Sequence, residues 1–208
     1  VTRSSFQSGV QDITLFDLLK SSLRQRPDYI IVGEVRGEEA YTLFQSISVG
    51  HGGLCTIHAG NVESVEKRLL TKPMNIPPIM LSMMDLIVLI GRSKLGDNIV
   101  RRVMDVSEIV GVDDEKGRAI FEKMYVWDPR SDSFILSAES ASESYVFKRV
   151  SETKYIPMEA LLDELTRREY ILKWMVHRNI RSYKDVADVI RRYYLDPNDV
   201  YNRARLEI

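Results

Sequence analysis

Residues 24–37, which read RQRPDYIIVGEVRG, decide the fold prediction for this chain. Within them the apolar run Tyr29–Val32 follows Pro27 and precedes Gly33, and a short β-branched run bounded in this way is typical of a buried strand. The next residue is Glu34. Ligands of open α/β sheets bind outside the carboxyl ends of the strands, so Glu34 is predicted to lie at such an edge. A carboxylate there can hold Mg²⁺ through water and orient an attacking water, and the alternative is a surface glutamate in a turn.

Helical patterns and apolar runs alternate on both sides of this strand. Thr14 and Asp17 have the spacing of a capping box, and leucines then recur at helical intervals until the chain reaches Pro27. The other elements predicted in this part are a helix over Glu38–Ser48, a strand over Leu54–His58, a helix capped by Asn61 and a third buried strand over Leu86–Ile90. This alternation predicts a parallel sheet with helical crossovers, and therefore an α/β fold.

The pattern of residues changes after Gly91. The elements predicted there are meander strands over Ile99–Val112 and Ala119–Val126 with a turn at residues 113–117, a loop over Ser137–Ser144, and three or four short helices with starts at Pro157, Ser182 and Asp196. We therefore expect three parts: a core over residues 1–94, a β-rich extension over residues 95–150 and a helical subdomain over residues 151–208.

The composition limits the possible classes of function. The 208 residues carry 29 Lys and Arg against 30 Asp and Glu, and this balance gives no broad electrostatic surface for nucleic acid. Cys55 is the single cysteine, so an intramolecular disulfide and a tetracysteine zinc site are both excluded. The most apolar stretch, Ile79–Ile90, contains Asp85 and is too short to cross a bilayer as a helix. We expect neither a nucleic-acid partner nor direct membrane insertion.

A second motif, GHGGLCTIHA, occupies residues 50–59. It holds two of the three histidines of the chain, His51 and His58, together with glycines that permit close approach of the backbone to a ligand. Two alternatives stay open from the residues alone. The first is metal binding by His51, Cys55 and His58, although Cys55 and His58 would point to opposite faces of a strand. The second is a turn in which the histidines have ordinary hydrogen-bond partners.

Together the two motifs resemble those of the secretion ATPase superfamily, which drives type II and type IV secretion, type IV pilus assembly and the archaeal filament. Residues 24–37 resemble its Walker B element, Arg-x-Arg-Pro-Asp followed by an apolar strand, Gly-Glu and x-Arg. Residues 50–59 resemble its histidine box. The resemblance is strong over residues 1–92, and the helical tail, including Tyr193 and Tyr194, most resembles archaeal members.

The resemblance implies a RecA-like P-loop NTPase core in a homo-hexameric ring, with ATP between subunits. It implies that Glu34 places Mg²⁺ and the attacking water and that His58 lies near the terminal phosphate. The residues that it implies for nucleotide binding are Arg24, Arg26, Arg36, Gly33, His51, Gly53 and Thr56. The three arginines are candidates either to neutralise phosphate charge or to bridge subunits.

The chain departs from the family pattern in one respect. No Gly-x-x-x-x-Gly-Lys-Ser/Thr occurs in the 208 residues, and that loop supplies the backbone donors, the lysine and the hydroxyl that hold phosphates and Mg²⁺. The acidic box that precedes Walker B is missing as well. We therefore expect both to belong upstream, and we expect this chain to be a truncated or split motor that carries half of an active site and does not bind ATP alone.

Two other classes of function are alternatives to a catalytic motor. The chain can be a non-catalytic assembly or interaction module, in which the helical tail provides the docking surface. A nucleic-acid translocase is disfavoured by the balanced charge. The resemblance also implies a polytopic membrane platform protein as partner and a cytoplasmic location at the inner face of the membrane, reached through that partner. It leaves the cargo open among pilin, filament subunit and secreted protein.

Overall fold

The computed structural model describes residues 13–137 and 141–207. The chain divides into two compact units, Val1–Glu139 and Ser140–Ile208. This division is coarser than the three predicted parts, whose limits at residues 94 and 150 stay predictions. The predicted loop over Ser137–Ser144 lies partly outside the described residues, and its described end, Ala141–Glu143, is a short 3-10 helix.

The first unit begins with alternating helices and strands. They are α1 (Leu15–Leu23), β1 (Tyr29–Val32), α2 (Glu39–Ser48), β2 (Gly52–Cys55) and α3 (Val62–Leu70). The sequence signals for the helix starts are confirmed: Thr14 and Asp17 form both bonds of a capping box, and the Asn61 side chain accepts a hydrogen bond from the Ser64 amide. These caps satisfy backbone amides that a helix start would otherwise leave without partners.

The strands β1 and β2 form the parallel pair that the alternation predicted, but β2 occupies Gly52–Cys55 rather than the predicted Leu54–His58. Their register aligns Tyr29 with Gly52 and Val32 with Cys55. Ile30 and Val32 point into the core of this unit, whereas the alternate residue Ile31 is 72% exposed. The core beneath the pair is formed by apolar residues of all three helices and of the following segment, among them Leu19, Leu43, Phe44, Leu69, Ile76 and Leu81.

The third predicted strand belongs to a different sheet, so its placement in the parallel sheet was wrong. It begins β3 (Leu86–Leu95), which pairs with β4 (Asn98–Asp113) in antiparallel register. Two residues join these strands, and the first, Gly96, has a φ of 58°. A two-residue turn with glycine at positive φ is a hairpin connection, and this signal was missed. Burial along β3 alternates between exposed and half-buried, as expected for a strand with one covered face.

In the rest of the antiparallel sheet, the two predicted meander strands are confirmed, and a further strand that was not predicted follows them. β4 pairs with β5 (Arg118–Asp128), and β5 pairs with β6 (Ser133–Leu136). A 3-10 helix, Pro78–Met83, precedes the sheet and contacts β4 and β5. The β6 hairpin is tied down by Asp132, which accepts hydrogen bonds from the Arg102 guanidinium and from the Trp127 indole.

The second unit is helical. Its helices are α4 (Tyr145–Lys154), α5 (Met158–His177), α6 (Tyr183–Leu195) and α7 (Pro197–Glu207). The predicted starts near Pro157, Ser182 and Asp196 are confirmed, whereas α4 was missed. The core of this unit contains Trp174, Tyr193 and Ala204. Within residues 13–137 and 141–207, none of the helices is long and apolar enough to cross a membrane.

Candidate functional site

The carboxyl end of β1 carries a cluster of charged side chains. Glu34 follows the strand after Gly33, and its side chain is 26% exposed. One carboxylate oxygen, Oε2, accepts a hydrogen bond from Arg36 Nη2 at 2.5 Å, and the other, Oε1, lies 3.4 Å from His58 Nε2. We call Glu34, Arg36 and His58 the Glu34 cluster. Arg36 and His58 are largely exposed, so the cluster faces solvent with a guanidinium and an imidazole beside one carboxylate.

The Glu34 carboxyl group is held in its ionised form. The hydrogen bond from Arg36 is the largest cause of a pKa below the usual value for glutamate; burial opposes this shift, and the charges of Arg36, His58 and Arg68 add to it. The same pair raises the pKa of the Arg36 guanidinium. An ionised carboxylate is the form that can orient water or accept a proton from it.

Backbone contacts fix the positions of Glu34 and His58. The Val35 amide donates to the Thr56 carbonyl at 3.0 Å, and the Thr56 hydroxyl donates to the Gly33 carbonyl at 2.6 Å. These bonds extend the strand pairing past the last ladder residues. They therefore hold the segment that carries Glu34 beside the segment that leads to His58.

Glu39 is a supporting residue that the sequence analysis missed. Its Oε1 accepts hydrogen bonds from the Arg36 amide at 2.6 Å and from the Gly37 amide at 2.8 Å. It therefore closes the turn between β1 and α2. An acid in the first turn of a helix that reaches back to preceding amides is a capping signal, and the spacing from Arg36 to Glu39 could have revealed it. Arg68, on α3, is a second residue that the sequence did not reveal, and its charge helps to lower the pKa of Glu34.

Three of the other predicted nucleotide-binding residues, Arg24, Arg26 and His51, lie at the opposite end of the strand pair, and Gly53 lies within β2, aligned with Ile30. Arg24 caps the end of α1, Arg26 adopts a φ of 51° just before β1, and both are exposed. His51 precedes β2, and its Nδ1 lies 2.7 Å from the Pro27 carbonyl oxygen. A four-residue strand such as β1 is about 13 Å long. The structure therefore brings Glu34, Arg36, Gly33, Thr56 and His58 together and places Arg24, Arg26 and His51 one strand length away.

The metal interpretation of the histidine box finds no support in this geometry. His51 and Cys55 lie at opposite ends of β2, and the Nδ1 of His51 is occupied by a backbone carbonyl. No group of three or more His, Cys, Asp or Glu residues suited to a metal ion occurs in the part of the chain that the structure describes.

The family of the chain follows from comparison with known proteins. Residues 4–161 match the family model of type II/IV secretion system proteins, a family of secretion ATPases. The chain belongs to this family. The matched range covers the Glu34 cluster, both ends of the strand pair and the whole antiparallel sheet, so the resemblance drawn from the two motifs is confirmed.

Individual relatives of the family agree with this assignment. An uncharacterized protein of Methanocaldococcus jannaschii is 44% identical over 172 residues, which are 83% of this chain and 62% of the relative. A probable conjugal transfer protein TrbB of Sinorhizobium fredii is 42% identical over 98 residues, 44% of this chain and 29% of the relative. The type IV secretion system protein PtlH of Bordetella pertussis is 30% identical over 106 residues, 45% of this chain and 31% of the relative. The match thus spans less than two thirds of each relative.

Proposed function

We propose that this chain is the C-terminal part of a hexameric ATPase motor that powers protein secretion or the assembly of a pilus or filament. The observation that carries the proposal is the Glu34 carboxylate, held ionised at the carboxyl end of β1 between Arg36 and His58. Acids at such a strand end place water and metal in α/β sheets. Family membership supplies the reaction class, and the cluster supplies residues suited to it.

Each member of the Glu34 cluster has a role in this proposal. Glu34 orients and polarises the water that attacks the terminal phosphate. His58 lies near that phosphate and donates a hydrogen bond to it. Arg36 is a cation that neutralises charge on the transferred group, as arginines do in phosphoryl transfer.

The donor set fits Mg²⁺ held through water. Mg²⁺ usually keeps several waters and is bound by one or two carboxylates together with substrate phosphates, and Glu34 provides one ionised carboxylate at the strand end. Arg36 and His58 already flank its two oxygens, which favours contact through water over direct ligation. When bound with ATP, Mg²⁺ neutralises charge on the phosphates.

The surroundings of β1 leave room for a nucleotide and for another protein segment. A Cβ atom at Gly33 would meet no atom within 4 Å, so a phosphate group can approach the backbone there. Among the described residues β1 pairs with β2 alone, and Tyr29 and Ile31 are 69% and 72% exposed. We propose that a segment outside these 208 residues covers this edge and supplies the phosphate-binding loop.

The assembly that we propose follows the family. ATP binds between the subunits of a homo-hexamer, and Arg24 and Arg26, at the far end of β1, are assigned to bridging subunits rather than to the phosphates beside Glu34. The ring works at the cytoplasmic face of the membrane through a polytopic platform protein.

The alternative function is a non-catalytic assembly module. The exposed apolar residues of α6, which are Tyr183, Ile190 and Tyr194, favour this alternative because they can form a docking surface.

Titration of the chain with a fluorescent ATP analogue and Mg²⁺ tests the proposal. We expect no binding up to millimolar nucleotide by the 208 residues alone. When the 208 residues are joined to, or mixed with, the polypeptide that carries the phosphate-binding loop, the resulting protein should form a hexamer that hydrolyses ATP. Tight Mg²⁺-dependent binding by the chain alone would refute the incomplete site. A hexamer that binds ATP without hydrolysing it would favour the assembly module, and one that hydrolyses ATP equally well with Glu34→Gln would contradict the role of Glu34.

A further inference from the structure

The histidine box contacts the Walker B strand through side-chain hydrogen bonds at both of its ends. At the amino end, His51 Nδ1 lies 2.7 Å from the Pro27 carbonyl oxygen. At the carboxyl end, the Thr56 hydroxyl donates to the Gly33 carbonyl at 2.6 Å. Between them lies the four-residue ladder from Tyr29–Gly52 to Val32–Cys55. Two side chains of one motif thus bracket the strand pair.

We infer that His51 is a positioning residue that fixes the register of β1 against β2, and that it does not reach the phosphates beside Glu34. Because the Pro27 oxygen can only accept, the Nδ1 atom must carry a proton and donate it. That nitrogen is therefore committed to the backbone of β1. The ring also lies about one strand length from Glu34, which is too far to share a phosphate with that carboxylate.

The carbonyl of Pro27 lies outside the strand ladder, because β1 begins two residues later at Tyr29. Proline has no backbone N–H, so Pro27 offers an acceptor but no donor at this place. The neighbouring backbone bond, from the Gly52 amide to the Asp28 carbonyl at 2.9 Å, is the first that the ladder can make. The imidazole of His51 adds one further bond beyond it and so fastens the end of a short pair.

The register matters at the other end of the pair. His58 Nε2 and Glu34 Oε1 are 3.4 Å apart, and a slip of one residue moves a strand by about 3.3 Å. The consequence for catalysis rests on the proposed function, whereas the hydrogen bond and the register do not. Experiments on the structure of the chain therefore test this inference independently of ATP hydrolysis.

Amide hydrogen exchange provides the test, with His51→Ala and His51→Asn in the 208-residue chain. Asparagine keeps an N–H donor near the position of Nδ1, and alanine removes it. We expect His51→Ala to accelerate exchange of the Gly52 and Val35 amides about tenfold, and His51→Asn to stay within about threefold of the unchanged chain. His177→Ala, on an exposed histidine of α5, is the matched control and should change neither amide.

Two NMR measurements complete the test. In the unchanged chain the His51 ring should carry its proton on Nδ1 at neutral pH. Glu34→Gln should shift the His58 ring signals when position 51 is histidine or asparagine. When position 51 is alanine, the same substitution should shift these signals less than half as much. If His51→Ala does not fold, the protonation of the His51 ring and the exchange rates of His51→Asn still test the inference. An unprotonated Nδ1, or exchange at Gly52 and Val35 that His51→Ala leaves unchanged, would overturn the inference.

Discussion

The two ends of the β1–β2 pair differ in what their side chains contact. At the amino end, His51 contacts a backbone carbonyl, and Arg24 and Arg26 are exposed. At the carboxyl end, Glu34 contacts the side chains of Arg36 and His58. Residues that belong to the same two motifs are therefore divided between the end where His51 contacts the backbone, which we call the structural end, and the end that holds the Glu34 cluster, which we propose as the chemical end.

The difference arises from the parallel arrangement of the strands. Two parallel strands bring the starts of both motifs together at one end and their finishes together at the other. Motif membership alone therefore does not show that a residue reaches the ligand. Substitutions at the chemical end should change turnover while the fold persists, and substitutions at the structural end should change the strand pairing first.

The largest expected effect is that of Glu34→Gln. In the proposed ATP-hydrolysing assembly, this change should lower turnover on the order of 100-fold or more while ATP still binds, because the amide cannot accept a proton or polarise water as the carboxylate does. Steady-state hydrolysis and binding of a fluorescent ATP analogue measure the two effects separately. Glu38→Gln, an exposed neighbour, is the control and should leave both unchanged. Near-normal turnover in Glu34→Gln would contradict the role of Glu34.

His58→Ala should have the next largest effect. Loss of a charge-assisted hydrogen bond of about 1.5–3 kcal/mol corresponds to a roughly 10- to 100-fold lower turnover. Because the His58 side chain is 81% exposed, the melting temperature should change little. Hydrolysis assays and thermal denaturation of the same variant check the two expectations. A large fall in melting temperature with unchanged kinetics would show that His58 is structural.

Most of the first unit could be predicted because its signals are local. The run Tyr29–Val32, the capping box at Thr14 and the glutamate after Gly33 can each be recognised within a few residues, and the structure confirms the strand and the cap. The pairing of Leu86–Leu95 could not be predicted from its apolar residues, because a strand of that composition suits either kind of sheet. The predicted site residues lie at two ends of the strand pair because of how the strands align. The motifs do not contain that information.

A second arginine–carboxylate pair shows what a purely structural contact looks like. Both oxygens of Asp132 accept from Arg102 at 2.7 Å, and Oδ1 also accepts from Trp127 Nε1 at 2.9 Å. The bond from Arg102 is the largest cause that lowers the pKa of Asp132 from 3.8 to about 2. The folded state therefore holds Asp132 ionised more strongly than the unfolded state does.

Asp132→Asn should therefore lower the melting temperature at pH 6 without changing the Glu34 cluster. A carboxyl group whose pKa is depressed by folding stabilises the protein above its ordinary pKa, and this contribution is lost as the pH falls from about 4 towards about 2. The difference in melting temperature between the two proteins should thus shrink across that range. Asp114→Asn, in an exposed turn, is the control and should show no such dependence. A difference that stays constant with pH would contradict this account.

The smallest expected effect comes from comparing Gly53, inside β2, with Gly33, at the carboxyl end of β1. A Cβ atom at Gly53 would lie 2.6 Å from Ile47 Cδ1, so Gly53→Ala should overpack the contact of β2 with α2 and destabilise the chain by about 1–3 kcal/mol. A Cβ atom at Gly33 has no neighbour within 4 Å, and Gly33→Ala should change the unfolding free energy by less than about 0.5 kcal/mol. Urea denaturation of both variants checks the contrast. Equal destabilisation would mean that the space beside Gly33 is filled in this chain, and the approach of a phosphate to that backbone would then lose its support.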